Sequence, residues 1–374
     1  NKNNKTTVKF KYIFLLLFVT FSVLLISKTH EDFNTYHYFS IFEVFNNSLR
    51  IGVSSLNDRY FHSSLLIFNQ ALIILPYLKF KIVHLPIFII YLSAIGYFVF
   101  IIFSKKTKTE ELFFSLLCVL ILLIKFNRLS EFGYDYIAQF ILLIVFHKIY
   151  FLNSSKPEII KAIIYFILSV LIKPISLLFL PILFLILYKE GFVIIKKISF
   201  SKYFLIFLLL TTLMSASFLR TGCIFYPLNS TCFSKDKIFW SEKERVKEYS
   251  HMVSLWAKSY YAQNDSKYKK IQDKKLFNKN FNWIKFWIEK HFFYKISEFL
   301  LIVLASIFII YFYCTRIKSD FNIHKKEKII AITLSLLSIL FWLNTVPQFR
   351  FGFSSIIIFI FISLSLFVNL NIQF

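Results

Sequence analysis

Long apolar blocks, separated by short polar and Lys-rich stretches, repeat along most of the chain. A helix that crosses a bilayer needs about 20 mostly apolar residues, within a range of roughly 17 to 25, and several blocks reach that length only with their flanks. The pattern predicts an all-α integral membrane protein with about ten transmembrane helices. The blocks are Ile13–Ile26, Ile82–Phe103, Leu112–Ile124, Ile137–Phe146, Ile163–Ile172, Ile175–Tyr188, Tyr203–Phe218, Phe299–Tyr313, Ile329–Leu343 and Phe353–Leu370.

The composition agrees with this interpretation. Hydrophobic residues make up 57% of the 374 positions and charged residues only 17%, whereas soluble domains carry about 25% charged residues. The net charge of +24 does not indicate nucleic-acid binding, because the lysines lie mainly at helix ends, where positive charge sets membrane orientation. We therefore expect membrane lipids, and no nucleic acid, as partners.

Positive charge in short loops predicts the orientation of the helices. The N-terminal stretch 1–11 holds four lysines, so we place it in the cytoplasm. No small-residue cleavage site follows Ile26, which favours an uncleaved first helix over a signal peptide. Residues 63–103 fit one span or two. We prefer one span preceded by an interfacial helix, because the lysines of 105–108 then lie inside.

This topology divides the chain into three regions. Residues 1–219 hold transmembrane helices 1–7, with a first outer loop over 28–64 and an interfacial helix over 65–78. Residues 220–296 form an outer segment of several short helices, and residues 297–374 hold helices 8–10. Nearly all unusual polar residues, Asp135 among them, fall on the outer side, whereas the inner loops resemble plain Lys-rich connectors.

Two acids, Glu31 and Asp32, follow the first apolar block directly. A carboxylate in a partly desolvated pocket can deprotonate a hydroxyl or hold a cation, and the alternative is a solvated acid at a helix end. The aromatic, amphipathic stretch 36–46 fits a helix along the membrane surface. Elsewhere, no clustered Cys and His spacing predicts a metal site, so the sequence leaves a divalent cation open.

Basic side chains recur at the other outer positions. The planar fork of Arg59 suits phosphate recognition, and its alternative is a salt bridge with Asp58 or Glu43. In the turn 344–352, Arg350 stands between aromatic residues, where it can bind a lipid phosphate or extend to the interface without function.

The segment that begins R-T-G-C-I-F-Y-P is a second outer landmark. Its Gly and Pro predict a turn that could line a pocket with Arg220 and Tyr226, although an ordinary helix-to-loop transition has the same pattern. Cys223 and Cys232 share this region and could form a disulfide in an oxidising compartment. Further on, we expect three tryptophans either to lie at the membrane interface or to stack on a sugar ring, and we favour the membrane interface. These are Trp256, Trp283 and Trp287.

Taken together, three motifs resemble the GT-C class of membrane glycosyltransferases. They are the acidic pair with Tyr36, His37 and an Asn-x-Arg ending at Arg59, the R-T-G-C-I-F-Y-P turn over 220–227, and the P-Q-F-R-F-G turn over 347–352. The pattern is closest to bacterial members related to protein mannosyltransferases and aminoarabinose transferases. The chain is short for this group, and Cys223 stands where the turn usually has an aromatic residue.

The resemblance implies a function. Members of the class move a sugar from a polyprenyl-phosphate carrier to a glycan, lipid or protein acceptor on the outer face of the bacterial cytoplasmic (inner) membrane. It implies a catalytic acid at Asp32, with Glu31 as the alternative, and substrate binding by neighbouring side chains. Those side chains are His37, Arg59, Lys173, Arg220, Tyr226 and Arg350. We therefore expect the three motifs to share one cavity.

Two other functions stay open. A transporter or flippase of lipid-linked sugars would place charge in mid-membrane on broken helices, for which Lys173-Pro174 is the clear candidate. A polysaccharide polymerase would share the large outer segment and outer arginines. Whether the first outer loop or the later segment 220–296 carries the essential residues separates a transferase from a polymerase.

Overall fold

A computed structural model describes residues 18–23, 25, 32–47, 50–74, 82–104, 107–129, 134–151, 156–191, 199–314 and 325–371. Every regular element within these ranges is a helix, which confirms the all-α prediction. The α-helices are α1 (Tyr38–Asn47), α2 (Leu65–Leu72), α3 (Leu85–Ile102), α4 (Thr109–Ile124), α5 (Tyr134–Tyr150), α6 (Lys156–Ile172), α7 (Leu180–Glu190), α8 (Phe200–Thr221), α9 (Lys243–Ala257), α10 (Lys274–Asn278), α11 (Ile284–Trp287), α12 (Phe293–Cys314), α13 (Lys325–Thr345) and α14 (Phe349–Asn371).

Four helices of the described chain are long and apolar enough to cross a membrane, namely α3, α8, α13 and residues 349–366 of α14. A shorter apolar helical stretch spans Pro174–Lys189. The prediction of about ten spans is not supported. The helices α4, α5 and α6 have 16 or 17 residues, or about 25 Å at 1.5 Å per residue, less than the roughly 30 Å hydrocarbon layer. Half of the first predicted span, Ile13–Ile26, lies outside the described residues. Helix α2 ends at Leu72, before the predicted end of the interfacial helix at residue 78.

Helix α5 forms the centre of the bundle. Apart from Gln139, its middle from Ile137 to Phe146 is apolar, as expected for an enclosed helix, and almost all of its residues are buried. It packs against α3, α4, α6, α7 and α14. Small hydroxyl residues allow helices to approach closely. In this way Ser338 of α13 and Ser355 of α14 bring their Oγ atoms to 2.8 Å.

Ion pairs tie the helices together at one end of this bundle. Lys328 Nζ lies 3.2 Å from Glu110 Oε1, with both side chains almost completely buried. Lys189 pairs with Glu327, and His147 Nε2 lies 2.9 Å from Glu111 Oε1. The expectation of plain connectors on the inner side is therefore wrong for these groups, because several of the lysines neutralise carboxylates between helices.

The outer segment forms several short helices, as predicted. Its core packs Phe277, Trp283, Phe286 and Trp287 against Trp342 of α13. Trp287 Nε1 donates to the carbonyl of Pro347 at 2.6 Å. Trp283 and Trp287 are thus core residues, and their predicted place at the membrane interface is wrong because they anchor this segment to the turn between α13 and α14.

Candidate functional site

A cavity of about 760 Å³ lies at the end of the bundle opposite the ion pairs. The cavity is lined by residues that surround the N-terminal ends of α5 and α14 and the C-terminal end of α6. It is also lined by Asp32 and His37 from residues 32–47 and 50–64, here called the first segment, and by Tyr226 from the turn after α8. Gln348 and Arg350 line it from the region where α13 passes into α14. The expectation that the three motifs share one cavity is confirmed.

Asp135 lines the cavity and binds two of its cations. Its Oδ1 is 2.9 Å from Lys173 Nζ, and its Oδ2 is 3.3 Å from Arg350 Nε. Asp135 belongs to the first turn of α5, Lys173 directly follows α6, and Arg350 belongs to the first turn of α14. One carboxylate therefore holds two cations from two other helices. The sequence placed Asp135 on this side of the bundle and gave it no role.

The first segment enters the cavity through a π-helical turn over Phe33–His37. The imidazole of His37 is buried, 4.1 Å from the Tyr36 ring and 4.8 Å from the Tyr134 ring between centroids. Burial, together with the charge of Lys173, lowers the pKa of His37 to about 3. His37 is consequently neutral near pH 7, so it can offer hydrogen bonds to a ligand and cannot supply positive charge.

His62 also lines the cavity and is kept neutral in the same way. Its imidazole packs edge-on to Tyr226 and Tyr249. Burial, with help from Lys173 and Arg59, holds its pKa well below the usual value. Positive charge in the cavity is therefore supplied by Lys and Arg side chains.

Arg59 lines the cavity beyond a 3₁₀ turn that Asn57 caps by accepting the Arg59 N–H. Its guanidinium lies 4.9 Å from the centre of the Tyr36 ring. The salt-bridge alternatives for Arg59 are wrong, since Asp58 pairs with Arg245 and Glu43 pairs with Arg50. Arg59 is thus held by an aromatic face and remains directed at the cavity.

Arg220 lies outside the cavity. Its side chain is buried, Nη1 donates to the carbonyl of His62 at 3.2 Å, and its own carbonyl accepts a hydrogen bond from Ser54 Oγ. These contacts fasten the first segment to the end of α8. The predicted place of Arg220 beside a substrate is therefore not supported, because the sequence does not reveal that the loop closes over this side chain.

The turn after α8 presents Tyr226 to the cavity. Gly222 ends α8 with φ +74°, and a Cβ there would lie 2.6 Å from the Cα of Ser241, so glycine is required. Cys223 and Cys232 form a disulfide across the turn. The ring of Tyr226 then packs beside Phe61.

Among the described residues that line the cavity, cations outnumber carboxylates. The cations are Arg59, Lys125, Arg128, Lys173, Lys295 and Arg350, and the carboxylates are Asp32 and Asp135. Three of these cations were not assigned to the site from the sequence, namely Lys125, Arg128 and Lys295. A cation beside an apolar block is normally interpreted as a signal of membrane orientation. Trp256 also lines the cavity and stays 45% exposed, unlike Trp283 and Trp287. The surroundings suit an anionic ligand next to an aromatic surface.

Metal ligands are not clustered in the described part of the chain, where no group of three or more His, Cys, Asp or Glu side chains could hold a metal ion. The divalent cation that the sequence left open has no ligand set in these ranges. Glu31 lies outside the described residues, so its role as the alternative to Asp32 stays a prediction.

Fold and cavity together define an all-α membrane protein with a cationic cavity at one end of its helix bundle. A family model described as "Domain of unknown function (DUF8201)" matches residues 1–357, and the chain belongs to that family. No curated protein and no solved structure matches the chain.

Proposed function

We propose that the protein is a glycosyltransferase that moves a sugar from a polyprenyl-phosphate donor to a glycan, lipid or protein acceptor. The observation that carries the proposal is the cavity, where the described lining residues include six cations and two carboxylates at one end of a bundle of apolar helices. A phosphate group would neutralise the excess charge, and the apolar helices offer surfaces for the prenyl chain. The Lys bias of the loops favours a cytoplasmic N-terminus and a cavity on the outer face of a bacterial cytoplasmic membrane.

The chemistry follows from the side chains present. Asp32 would accept the proton of an acceptor hydroxyl while that oxygen attacks the anomeric carbon of the sugar. The bond between that carbon and the phosphate oxygen breaks, and polyprenyl phosphate leaves with both bonding electrons. Cations near the leaving phosphate stabilise the developing negative charge. A single displacement of this kind inverts the anomeric configuration.

Three further residues have supporting roles in the proposal. Arg59 would contact the donor phosphate from the first segment. His37, neutral near pH 7 because burial lowers its pKa, would hydrogen-bond to the sugar or acceptor. Tyr226 would supply an aromatic wall on the opposite side.

The test is transfer activity in proteoliposomes. A panel of polyprenyl-phosphate sugars is offered with a cell-envelope extract as acceptor, and released polyprenyl phosphate is measured by mass spectrometry. At least one donor should be consumed, and Asp32→Asn should lower the rate at least 100-fold, the scale of general acid–base catalysis. Asp58→Asn is the matched control, since Asp58 lies in the same segment and pairs with Arg245 outside the cavity. Full activity of Asp32→Asn would refute the role of Asp32.

A polysaccharide polymerase is the second candidate. One observation favours it, namely that the outer segment also lines the cavity, through Tyr249, Trp256 and Tyr261. If substitutions in this segment abolish activity while Asp32→Asn does not, the polymerase is preferred. The transporter hypothesis has less support, because Lys173 follows the last residue of α6 and faces the cavity.

A further inference from the structure

Lys173 and Arg350 both contact the carboxylate of Asp135, which holds the two cations close together. The side chain of Asp135 is 10% exposed, compared with 20% for Lys173 and 36% for Arg350. The carboxylate is therefore the least exposed of the three groups, although it also lines the cavity. Two half-buried cations without a counter-ion would be costly to hold in one place.

The geometry of Arg350 leaves its outer edge available. Asp135 approaches the guanidinium from the Nε side. The rings of Trp256 and Phe351 flank the guanidinium at 5.7 and 5.0 Å. Within the described residues, the two terminal amino groups have no hydrogen-bond partner in the protein. An Arg held by its Nε side and by aromatic rings presents a fork suited to two hydrogen bonds with a phosphate.

Lys173 completes the arrangement. Its ammonium carries three N–H donors, contacts Asp135 at 2.9 Å and lies 5.8 Å from the centre of the Phe351 ring. Phe351 thus lies beside both cations. An oxygen-rich anion in the cavity would reach Lys173 and Arg350 from the side opposite Asp135.

We propose that Lys173 and Arg350 form a phosphate subsite in which Asp135 is the resident counter-ion, so that the carboxylate and a bound phosphate share the same two cations. This inference rests on the proposed function insofar as the phosphate belongs to a lipid-linked donor. Sharing makes Asp135 and the ligand antagonists, since each anion weakens the hold of the cations on the other. Asp135 thereby tunes the affinity downward, which favours release of the phosphate product.

The test is binding of two probes, farnesyl phosphate and inorganic phosphate, to purified protein in detergent. Lys173→Met and Arg350→Gln should each weaken farnesyl phosphate binding about tenfold, the scale of one charge-assisted hydrogen bond. Asp135→Asn should strengthen it about tenfold, because a negative charge a few ångströms away is removed. Asp58→Asn should leave the affinity unchanged. Weaker or unchanged binding by Asp135→Asn would overturn the inference.

A second variant guards against loss of folding. Asp135→Asn alone leaves both cations without their counter-ion, whereas the double variant Lys173→Met with Asp135→Asn keeps only one cation. This double variant should bind farnesyl phosphate more tightly than Lys173→Met alone. Equal or weaker binding also overturns the proposal.

The two probes separate the sources of the phosphate. Farnesyl phosphate binding well above that of inorganic phosphate supports a lipid-linked ligand, and equal binding supports the subsite with a soluble phosphate compound. If wild type binds farnesyl phosphate independently of Lys173 and Arg350, the subsite is wrong and the transferase proposal stands. If wild type binds inorganic phosphate through these cations but not farnesyl phosphate, the subsite stands and the lipid-linked donor is wrong.

Discussion

The imidazole of His37 is enclosed between Tyr36 and Tyr134, and the charges of Lys173, Arg350 and Arg59 all act on it. Burial and the charge of Lys173 lower its pKa from the ordinary value of 6.5 to about 3. An unfolded chain returns the side chain to its ordinary pKa. Below pH 6.5 the unfolded state therefore binds a proton that the folded state refuses.

The first prediction is that stability falls as the pH falls from about 6.5 toward 3. The free energy of unfolding should drop by up to about 1.4 kcal/mol per pH unit for His37, and His62 should add to this slope. His37→Gln should flatten the slope, because glutamine does not titrate. Thermal unfolding in detergent at pH 6.5, 5.5 and 4.5 measures this, and an identical slope in wild type and His37→Gln would contradict it.

At the scale of single residues, the sequence could indicate which side chains are unusual for their position. Asp32, His37 and Arg350 stood out because polar groups beside apolar blocks are costly and so invite a functional explanation. Asp135 gained a role only from distances, since its two partners are 38 and 215 positions away. The prediction that Arg220 binds substrate failed because the residues near it in sequence do not show that a distant loop covers its side chain.

The buried pair of Lys328 and Glu110 connects α13 to α4 at the end of the bundle away from the cavity. Lys328 also donates to the carbonyl of Ser365 on α14 at 3.5 Å. Removing one member of a buried pair leaves an uncompensated charge, which costs more than the pair contributes.

The second prediction concerns these helices. Lys328→Met should lower the free energy of unfolding by about 3–5 kcal/mol, and adding Glu110→Gln should recover part of the loss. Lys161→Met is the control, because Lys161 is 53% exposed in its pair with Glu158 and such pairs contribute at most about 1 kcal/mol. Thermal unfolding of the four proteins in one detergent measures these differences. Equal destabilisation by Lys328→Met and Lys161→Met would show that the buried pair has no special weight.

At the scale of helices, the apolar blocks located the elements well and their lengths poorly. Hydropathy shows where a helix runs, while turn residues and tertiary contacts decide where it ends. The block at Ile175–Tyr188 illustrates this, because Pro174 begins a 3₁₀ helix and α7 starts only at Leu180. A short helix that is buried on all sides by its neighbours is as apolar as a transmembrane helix. Hydropathy alone therefore does not distinguish the two.

The whole molecule has two ends of different chemistry. The cavity and the outer segment with its disulfide lie at one end, and the pairs of Lys328 with Glu110 and of His147 with Glu111 lie at the other. Helix α13 runs between them, from the neighbourhood of Glu110 to the turn that holds Arg350. Because α13 is long and apolar enough to cross a membrane, its two ends should face different compartments.

The third prediction tests that orientation. Cysteines introduced at Asn57 and at Lys274, both exposed near the cavity end, should react with a membrane-impermeant maleimide added outside intact cells. A cysteine at Lys326, exposed at the other end of α13, should react only after the cells are opened. Labelling of the residue 274 and residue 326 variants from the same side would contradict a membrane-crossing α13.

At the scale of the molecule, the sequence predicted that three distant motifs meet, and the cavity confirms it. That prediction rested on the resemblance to GT-C glycosyltransferases and on the loop charges, which assigned the motifs to a common side. The packing of the outer segment could not be predicted, because it depends on how Trp287 and Trp342 fit against one another.

The turn between α13 and α14 has a mechanical consequence. Ser254 of α9 donates to the carbonyl of Thr345 at 3.0 Å, and Trp287 of α11 donates to that of Pro347 at 2.6 Å. Two hydrogen bonds thus join the outer segment to the backbone that leads into Arg350. A contact that tilts the outer segment should therefore move the backbone before Arg350, and the guanidinium should move with it. Binding at the outer surface would in this way change the wall of the cavity.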